Sequence, residues 1–329
     1  MSKFMKKAFA VVMTFALVLC MSVSAFAAET KDYTDQETVT ITKVYKLNGA
    51  GSSPAETFTL QQVGNGEVTD GDATTAPALG MITGATFAEG AATSTGTTAK
   101  ITIALPTYEK VGVYEYTLRE VVGTTAGVTY YGSDIRLVVT VVNGEDGKLR
   151  VAAVHTEAAD AAQKSSSFEN TYSANNLLIE KKVAGNLGDK SKYFDFTVTL
   201  TGETGKTYAA SYSVAGGSEG ANNPTTIAIG TPTTFKLKDG DTIQIVGLPA
   251  GVTYTVAEAD YKADGYTTTI EGNATGTTTA DQTQVTFTNT KTGDIDTGVI
   301  LHSAPYVLVL AGVAAAGVVF AVSKKRRAE

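Results

Sequence analysis

Three short stretches of this chain occur twice, in the same order, and each copy alternates apolar and polar residues with the period of a β-strand. VTITKVYKLNG at 39–49 resembles LLIEKKVAGN at 177–186, GVYEYTLRE at 112–120 resembles GVTYTVAE at 251–258, and FENTY at 168–172 resembles FTNTK at 287–291. Strand-like pieces recurring at domain-sized separation mean that one β-sandwich is used twice, joined near Tyr172–Asn176. Further alternating segments fit the same class: Lys100–Leu105, Ile135–Val142, Leu149–His155, Phe194–Leu200 and Thr242–Val246, with a hairpin turn at Asn143–Gly147. No amphipathic helix is evident. Two stretches rich in Gly, Thr, Ala and Ser, about 61–99 and 202–232, read as surface loops with little structure.

Period-2 alternation assigns each recurring piece a buried face. In the first copy, Val39, Ile41, Tyr45 and Leu47 share a face with Lys43. Tyr114, Tyr116, Leu118 and Val122 share one with Glu120, and Phe168 and Tyr172 share one with Asn170. In the second, Leu177, Ile179 and Val183 line up with Lys181, Val252, Tyr254 and Val256 with Glu258, and Val285 and Phe287 with Asn289. The Lys-to-Glu separation is the same in both copies. A single inward Lys is explained by snorkelling at a strand end, and a single inward Glu or Asn by a backbone hydrogen bond. Six such residues at matching places are not. Burying an unpaired charge costs several kcal/mol, and the same three residue types incur that cost in both copies.

Lys, Glu and Asn together have a specific chemistry. Burial disfavours charged forms, so a buried amine loses its proton and becomes a nucleophile, while a buried carboxyl keeps one. A protonated carboxyl bonded to a carboxamide oxygen polarises its carbon for attack by the amine. Loss of ammonia leaves a Lys–Asn amide, with no cofactor and no metal.

Both ends of the chain are addresses. Lys3, Lys6 and Lys7 precede an apolar run, and Ala25-Phe26-Ala27 gives the small-x-small pattern of signal-peptidase cleavage, expected after Ala27. The one cysteine, Cys20, lies inside this peptide, so the mature chain carries no disulfide. Near the other end, Ala304–Val322 is apolar and long enough to span a bilayer, and Lys324–Arg327 follows it. Asp294-Ile295-Asp296-Thr297-Gly298 stands just upstream. A Thr-Gly pair, an apolar span and a basic tail, in that order, resemble a sortase sorting signal, although the proline of LPxTG-type or VPTG-type motifs is missing.

From signal peptide to basic tail, the chain resembles the major (backbone) pilins of Gram-positive bacteria, of the streptococcal type with two isopeptide-linked immunoglobulin-like domains. The resemblance implies an all-β fold: two tandem immunoglobulin-like (CnaB-like) β-sandwich domains at 28–172 and 173–290, flanked by a signal peptide at 1–27, a sortase motif and linker at 291–298, and a removable span and tail at 299–329. It implies bonds Lys43–Asn170 and Lys181–Asn289, with Glu120 and Glu258 as their catalysts, and first and last strands adjacent and parallel in each domain. It further implies sortase cleavage between Thr297 and Gly298, and joining of Thr297 to a lysine of the next subunit. That acceptor falls at Lys164 in AAQKSSSFEN, with Lys148 and Lys192 as alternatives. The partners implied are a sortase, identical subunits in a head-to-tail polymer, other pilins and peptidoglycan. The location implied is the surface of a Gram-positive cell, with membrane contact only before sorting.

Two other functions compete. A wall-anchored adhesin or accessory pilin could use the same domains, but no extra ligand-carrying domain is evident. A secreted hydrolase fits poorly. Glu120 and Glu258 lie in different repeats and so do not form a glycosidase pair, the only histidines are His155 and His302, and no metal-ligand cluster or cysteine nucleophile is present. The net charge of −7, with no basic stripe outside the tail, argues against a nucleic-acid partner.

Overall fold

The computed structural model describes residues 35–145, 147–159 and 164–294. The expected signal peptide, Thr297, Gly298 and the apolar span lie outside the described residues. In chain order the first half carries β1 Thr38–Gly49, β2 Glu56–Phe58, β3 Leu60–Gln62, β4 Glu67–Gly71, β5 Ile82–Thr83, β6 Ala85–Phe87, β7 Thr97–Ala104, β8 Gly112–Glu120, β9 Val128–Thr129, β10 Ile135–Asn143 and β11 Leu149–Ala158. Then come β12 Ser167–Ala184, β13 Phe194–Thr201, β14 Tyr212–Gly216, β15 Thr226–Ile227, β16 Thr233–Leu237, β17 Thr242–Pro249, β18 Thr253–Glu258, β19 Thr267–Gly272, β20 Thr275–Thr277 and β21 Thr283–Thr290. Helix is confined, among the described residues, to two three-residue 3-10 turns.

The strands make two cores. Ile41, Tyr45, Tyr114, Leu137 and Phe168 belong to the first, and Ile179, Phe196, Ile243, Val256 and Phe287 to the second. Each core lies between two sheets. A ten-stranded sheet runs through both halves, in the order β15-β14-β17-β12-β1-β7-β5 with β21 also on β12. A sheet β11-β10-β8-β3 is the second layer of the first sandwich, and β16-β13-β18-β20 that of the second. The alternation that makes β1 a strand also gives it a buried face, with Val39, Ile41, Lys43 and Tyr45 all buried.

The first and last strands of each sandwich are neighbours and parallel. β1 pairs with β12 so that Lys43 lies opposite Phe168 and Tyr45 opposite Asn170. β12 pairs with β21 so that Lys181 lies opposite Phe287 and Val183 opposite Asn289. In both sandwiches the lysine therefore faces the residue two before the asparagine, and side chains on one face of such neighbours can meet.

β12 runs through the joint near Tyr172–Asn176 for 18 residues, as last strand of one sandwich and first of the next. Two sequence expectations change. The supposed loops at 61–99 and 202–232 contain β4, β5, β6, β14 and β15, short strands that extend or cap the sheets. Val122 does not share the face of Glu120, because β8 stops at Glu120 and Val122 is exposed.

The halves also meet beside β12. Thr207 N–H donates to Thr124 O at 2.8 Å, Ala126 N–H to Thr207 O at 3.0 Å, Ala250 N–H to Ser173 O at 2.8 Å, and Gly247 N–H to Asn176 Oδ1 at 2.9 Å. At Gly49, φ is +101° and a Cβ would come within 2.0 Å of Ala174 O, so only glycine lets β1 leave the sheet there.

Candidate functional site

In the first sandwich, β1 presents Lys43 and β12 presents Asn170 from one sheet, while the last residue of β8, Glu120, reaches them from the facing sheet. All three are buried, with Lys43 and Asn170 1% exposed and Glu120 2%. Lys43 Nζ donates to Glu120 Oε2 and, at 2.7 Å, to Asn170 Oδ1. Asn170 Nδ2 donates to Glu120 Oε1, so the carboxyl meets the carboxamide at its nitrogen rather than at the oxygen expected from the sequence. The backbone N–H of Tyr131 donates to Asn170 Oδ1 at 2.8 Å. The carboxamide oxygen is thus held by an amine and an amide N–H, and its nitrogen by a carboxylate. The rings of Phe58 and Tyr131, centred 5.4 and 5.7 Å from Lys43 Nζ, wall the site from water. Burial pushes the Lys43 amine below the usual lysine range, although Glu120 opposes the shift.

The second sandwich repeats this placement with different contacts. Lys181 on β12 and Asn289 on β21 are fully buried, and the Glu258 side chain, at the end of β18 in the facing sheet, is 3% exposed. Lys181 Nζ lies 2.9 Å from Glu258 Oε1, an ion-pair distance without hydrogen-bond alignment, and donates to Phe287 O at 3.5 Å. Thr268 Oγ1 donates to Glu258 Oε2 at 3.1 Å. Neither amide atom of Asn289 has a hydrogen-bond partner. The Phe194 ring centre is 4.2 Å from Lys181 Nζ. Burial again pushes the amine down, with Glu258 opposing.

The candidate acceptor Lys164 stands apart from both constellations. It is exposed and forms an antiparallel bridge with Glu157 at the free edge of β11, just before β12 begins. Of the alternatives, Lys192 is engaged by Asp264 at 3.1 Å and lies over the Tyr261 ring, while Lys148 accepts Gly144 N–H through its carbonyl at the hairpin turn. The Tyr131 N–H and the Thr268 hydroxyl had no sequence signal. A backbone donor leaves no residue signature, and Thr268 is one of three consecutive threonines.

A family model described as "Spy0128-like isopeptide containing domain" matches residues 39–173, and one described as a domain of unknown function matches 175–291. The chain is 34% identical over 247 residues to a pilin of Streptococcus pyogenes serotype M1, covering 69% of this chain and 72% of that protein. It is 31% identical over 121 residues to the pilus tip adhesin Cpa of Streptococcus pyogenes, covering 35% of this chain but 16% of the adhesin, which confines that likeness to a shared module. The crystal structure of the major pilin from Streptococcus pyogenes superposes with a TM-score of 0.54 at 27% identity, covering 79% of this chain and 100% of that one.

Proposed function

The chain belongs to the streptococcal major-pilin family and is a subunit of a pilus shaft; on that premise we propose that each sandwich closes itself with one Lys–Asn isopeptide bond, and that a sortase joins successive subunits. The observation that carries the reading is the buried contact of Lys43 Nζ with both Glu120 and Asn170 Oδ1.

In the first sandwich, transfer of a proton along the Lys43–Glu120 hydrogen bond converts an ion pair into an amine and a carboxylic acid, a neutral pair that a water-poor site favours. The amine attacks Asn170 Cγ. Charge develops on Oδ1, where the Tyr131 N–H already points. The Glu120 carboxyl gives its proton to Asn170 Nδ2, to which it is already hydrogen-bonded, and takes one from the attacking nitrogen. The Cγ–Nδ2 bond breaks and ammonia leaves. Lys43 and Asn170 share an amide, and Glu120 ends as a carboxylic acid. Lys181, Glu258 and Asn289 take the same roles in the second sandwich. Folding supplies the alignment, which can lower such a barrier by roughly 7–11 kcal/mol.

Each bond closes a loop of more than a hundred residues. In the loop-entropy model for disulfides this contributes about 5 kcal/mol. Asn170 and Lys181 lie on the same strand, so β12 links the two amides into one braced element. For assembly, the sortase cleaves Thr297–Gly298, and Lys164 of the next subunit receives Thr297. Peptidoglycan and other pilins complete the set of partners, and the cell surface is the site of function.

Intact mass tests the core of this reading. The folded mature chain is expected to weigh about 34 Da less than its sequence, one ammonia of about 17 Da per bond, as a covalent modification requires. A mass equal to that of the sequence refutes both cross-links. For assembly, Lys164→Ala is expected to abolish covalent ladders in the producing cell, and a persisting ladder assigns the acceptor elsewhere.

A further inference from the structure

We propose that His155 and Glu157 form a proton-accepting pair, built into the pilin itself, that prepares Lys164 for acyl transfer. The proposal rests on Lys164 being the acceptor.

The bridge between Glu157 and Lys164 is of the narrow kind. Ser165 N–H donates to Thr156 O at 2.8 Å, the bond that flanks a non-hydrogen-bonded antiparallel pair. In such pairs the side chains lie closest and on the same face, so Lys164 projects beside Glu157. His155 is two residues along β11 on that face, diagonal to Lys164 and within reach of a long side chain. This is the outer face of the sheet: Thr156 and Val154 pair with the core residues Leu137 and Val139, whereas Glu157 pairs with Arg136.

Glu157 is 8% exposed despite facing outward. Its Oε2 accepts from Arg136 Nη2, and its Oε1 lies 2.9 Å from His155 Nε2. The bonds to Arg136 and His155 hold the Glu157 carboxyl below the usual carboxylate range. An ionised carboxylate only accepts, so His155 donates through Nε2 and its Nδ1 carries a lone pair. Glu115 lies 3.4 Å from Arg136 Nη1, and the same face also carries Glu67 opposite Glu115, Arg119 paired with Asp134, and Arg150 opposite Val142. Arg136 is thus matched by Glu115 and Glu157, and the register puts a carboxylate-oriented imidazole within reach of the Lys164 side chain.

The acyl donor is a thioester between Thr297 of another subunit and the transpeptidase thiol. The Lys164 ammonium passes one proton to His155 Nδ1. The resulting amine attacks the thioester carbon, the C–N bond forms, the C–S bond breaks, and the second amine proton goes to the departing sulfur. Glu157 is a positioning residue that fixes the imidazole tautomer.

The test uses the mature chain, a pilus-polymerising sortase, a donor carrying Lys164→Ala and acceptors carrying Thr297→Ala. The joining rate is read for each acceptor from neutral to alkaline pH. His155→Gln keeps a bond to Glu157 and is expected to slow joining about 100-fold at neutral pH, the lower end of what a positioned base contributes. Joining by this variant should recover at high pH, where the free amine is abundant. Glu157→Gln should slow joining at neutral pH by less than His155→Gln does, and should recover in the same way at high pH. Ammonia loss in each variant reports that its sandwiches have folded. A His155→Gln acceptor with native rate and native pH profile overturns the proposal. An acceptor with Lys164→Ala that is joined as fast as the native one overturns the acceptor assignment, and this proposal with it.

Discussion

The two sandwiches place the same three residues at the same strand positions, yet their asparagines live in different surroundings. Asn170 is held at both ends of its carboxamide, by Lys43 and the Tyr131 N–H at oxygen and by Glu120 at nitrogen. Asn289 is as deeply buried and held by nothing. Register and alternation dictate which side chains meet. What those side chains find around them depends on the loop that crosses the end of the sandwich, and only the first sandwich brings a backbone donor there. The difference is energetic as well as kinetic. A buried, unpartnered polar group costs about 1–3 kcal/mol, so in the proposed reaction expelling the Asn289 amide nitrogen as ammonia would relieve a penalty that Asn170 does not carry. The first site is prepared for the transition state, and the second has more to gain from the product.

The largest test of this pairing removes one bond at a time. Lys43→Met and Lys181→Met should each lower the stability of their own sandwich by about 5 kcal/mol, read by denaturant unfolding. Each variant should still show one ammonia loss, from the untouched site. If either substitution prevents both losses, the sites are not independent and the comparison between them fails.

A smaller effect separates their rates. Removing one donor to a developing oxyanion typically slows a reaction by about 100- to 1,000-fold, so the second bond should form about 100-fold more slowly than the first. Cell-free synthesis, quenched at intervals and followed by mass and peptide mapping, reads both rates in one chain. Replacing the Tyr131 N–H by an ester oxygen should bring the first bond to the pace of the second. Equal rates in the native chain would mean that the backbone donor contributes nothing.

Proton linkage gives a further contrast, between reacted and unreacted protein. Asn170→Ala and Asn289→Ala leave the lysines free. Burial holds the folded-state value of Lys43 and Lys181 below the unfolded 10.5, so the unfolded chain binds more protons in the window between the two values. Stability of these variants should therefore rise with pH across that window and be level below it. In a native chain closed by the two proposed amides these lysines do not titrate, and the rise from them should be absent. Unfolding midpoints across alkaline pH check the sign, and a fall where the rise is expected refutes the burial argument.

How much of this was legible in the sequence depended on side-chain period. Lys43, Glu120 and Asn170, and their counterparts, could be placed inward because two-residue alternation leaves no other face. The parallel pairing of β1 with β12 could not be read that way, since alternation says nothing about neighbours, and it came from family resemblance. The strands in 61–99 and 202–232 were missed because β4, β5, β6, β14 and β15 have two to five residues, too few to show a period against Gly and Thr. That the strand runs unbroken through the joint has a tertiary cause: Asn175 Nδ2 donates to Ala280 O and Asn176 Oδ1 accepts from Gly247 N–H. Those side chains bind the second sandwich to β12 and leave the backbone extended.

The smallest expected effect concerns the residue that only the second site possesses. Thr268 Oγ1 donates to Glu258 Oε2, and Glu258 in turn meets Lys181 without an aligned hydrogen bond. The hydroxyl therefore fixes the carboxyl in a site where neither the lysine nor the asparagine does. Thr268→Val keeps the branched shape on β19 and deletes that bond, whose net worth is about 1 kcal/mol. The second bond should then form about fivefold more slowly, the rate equivalent of about 1 kcal/mol on its barrier. The first bond should keep its native rate, because Glu120 is already fixed by Lys43 and Asn170. Following both ammonia losses in one Thr268→Val chain makes the first site the internal control. A slowed first bond would show that the effect is general loosening, and an unchanged second bond would show that Lys181 alone orients Glu258.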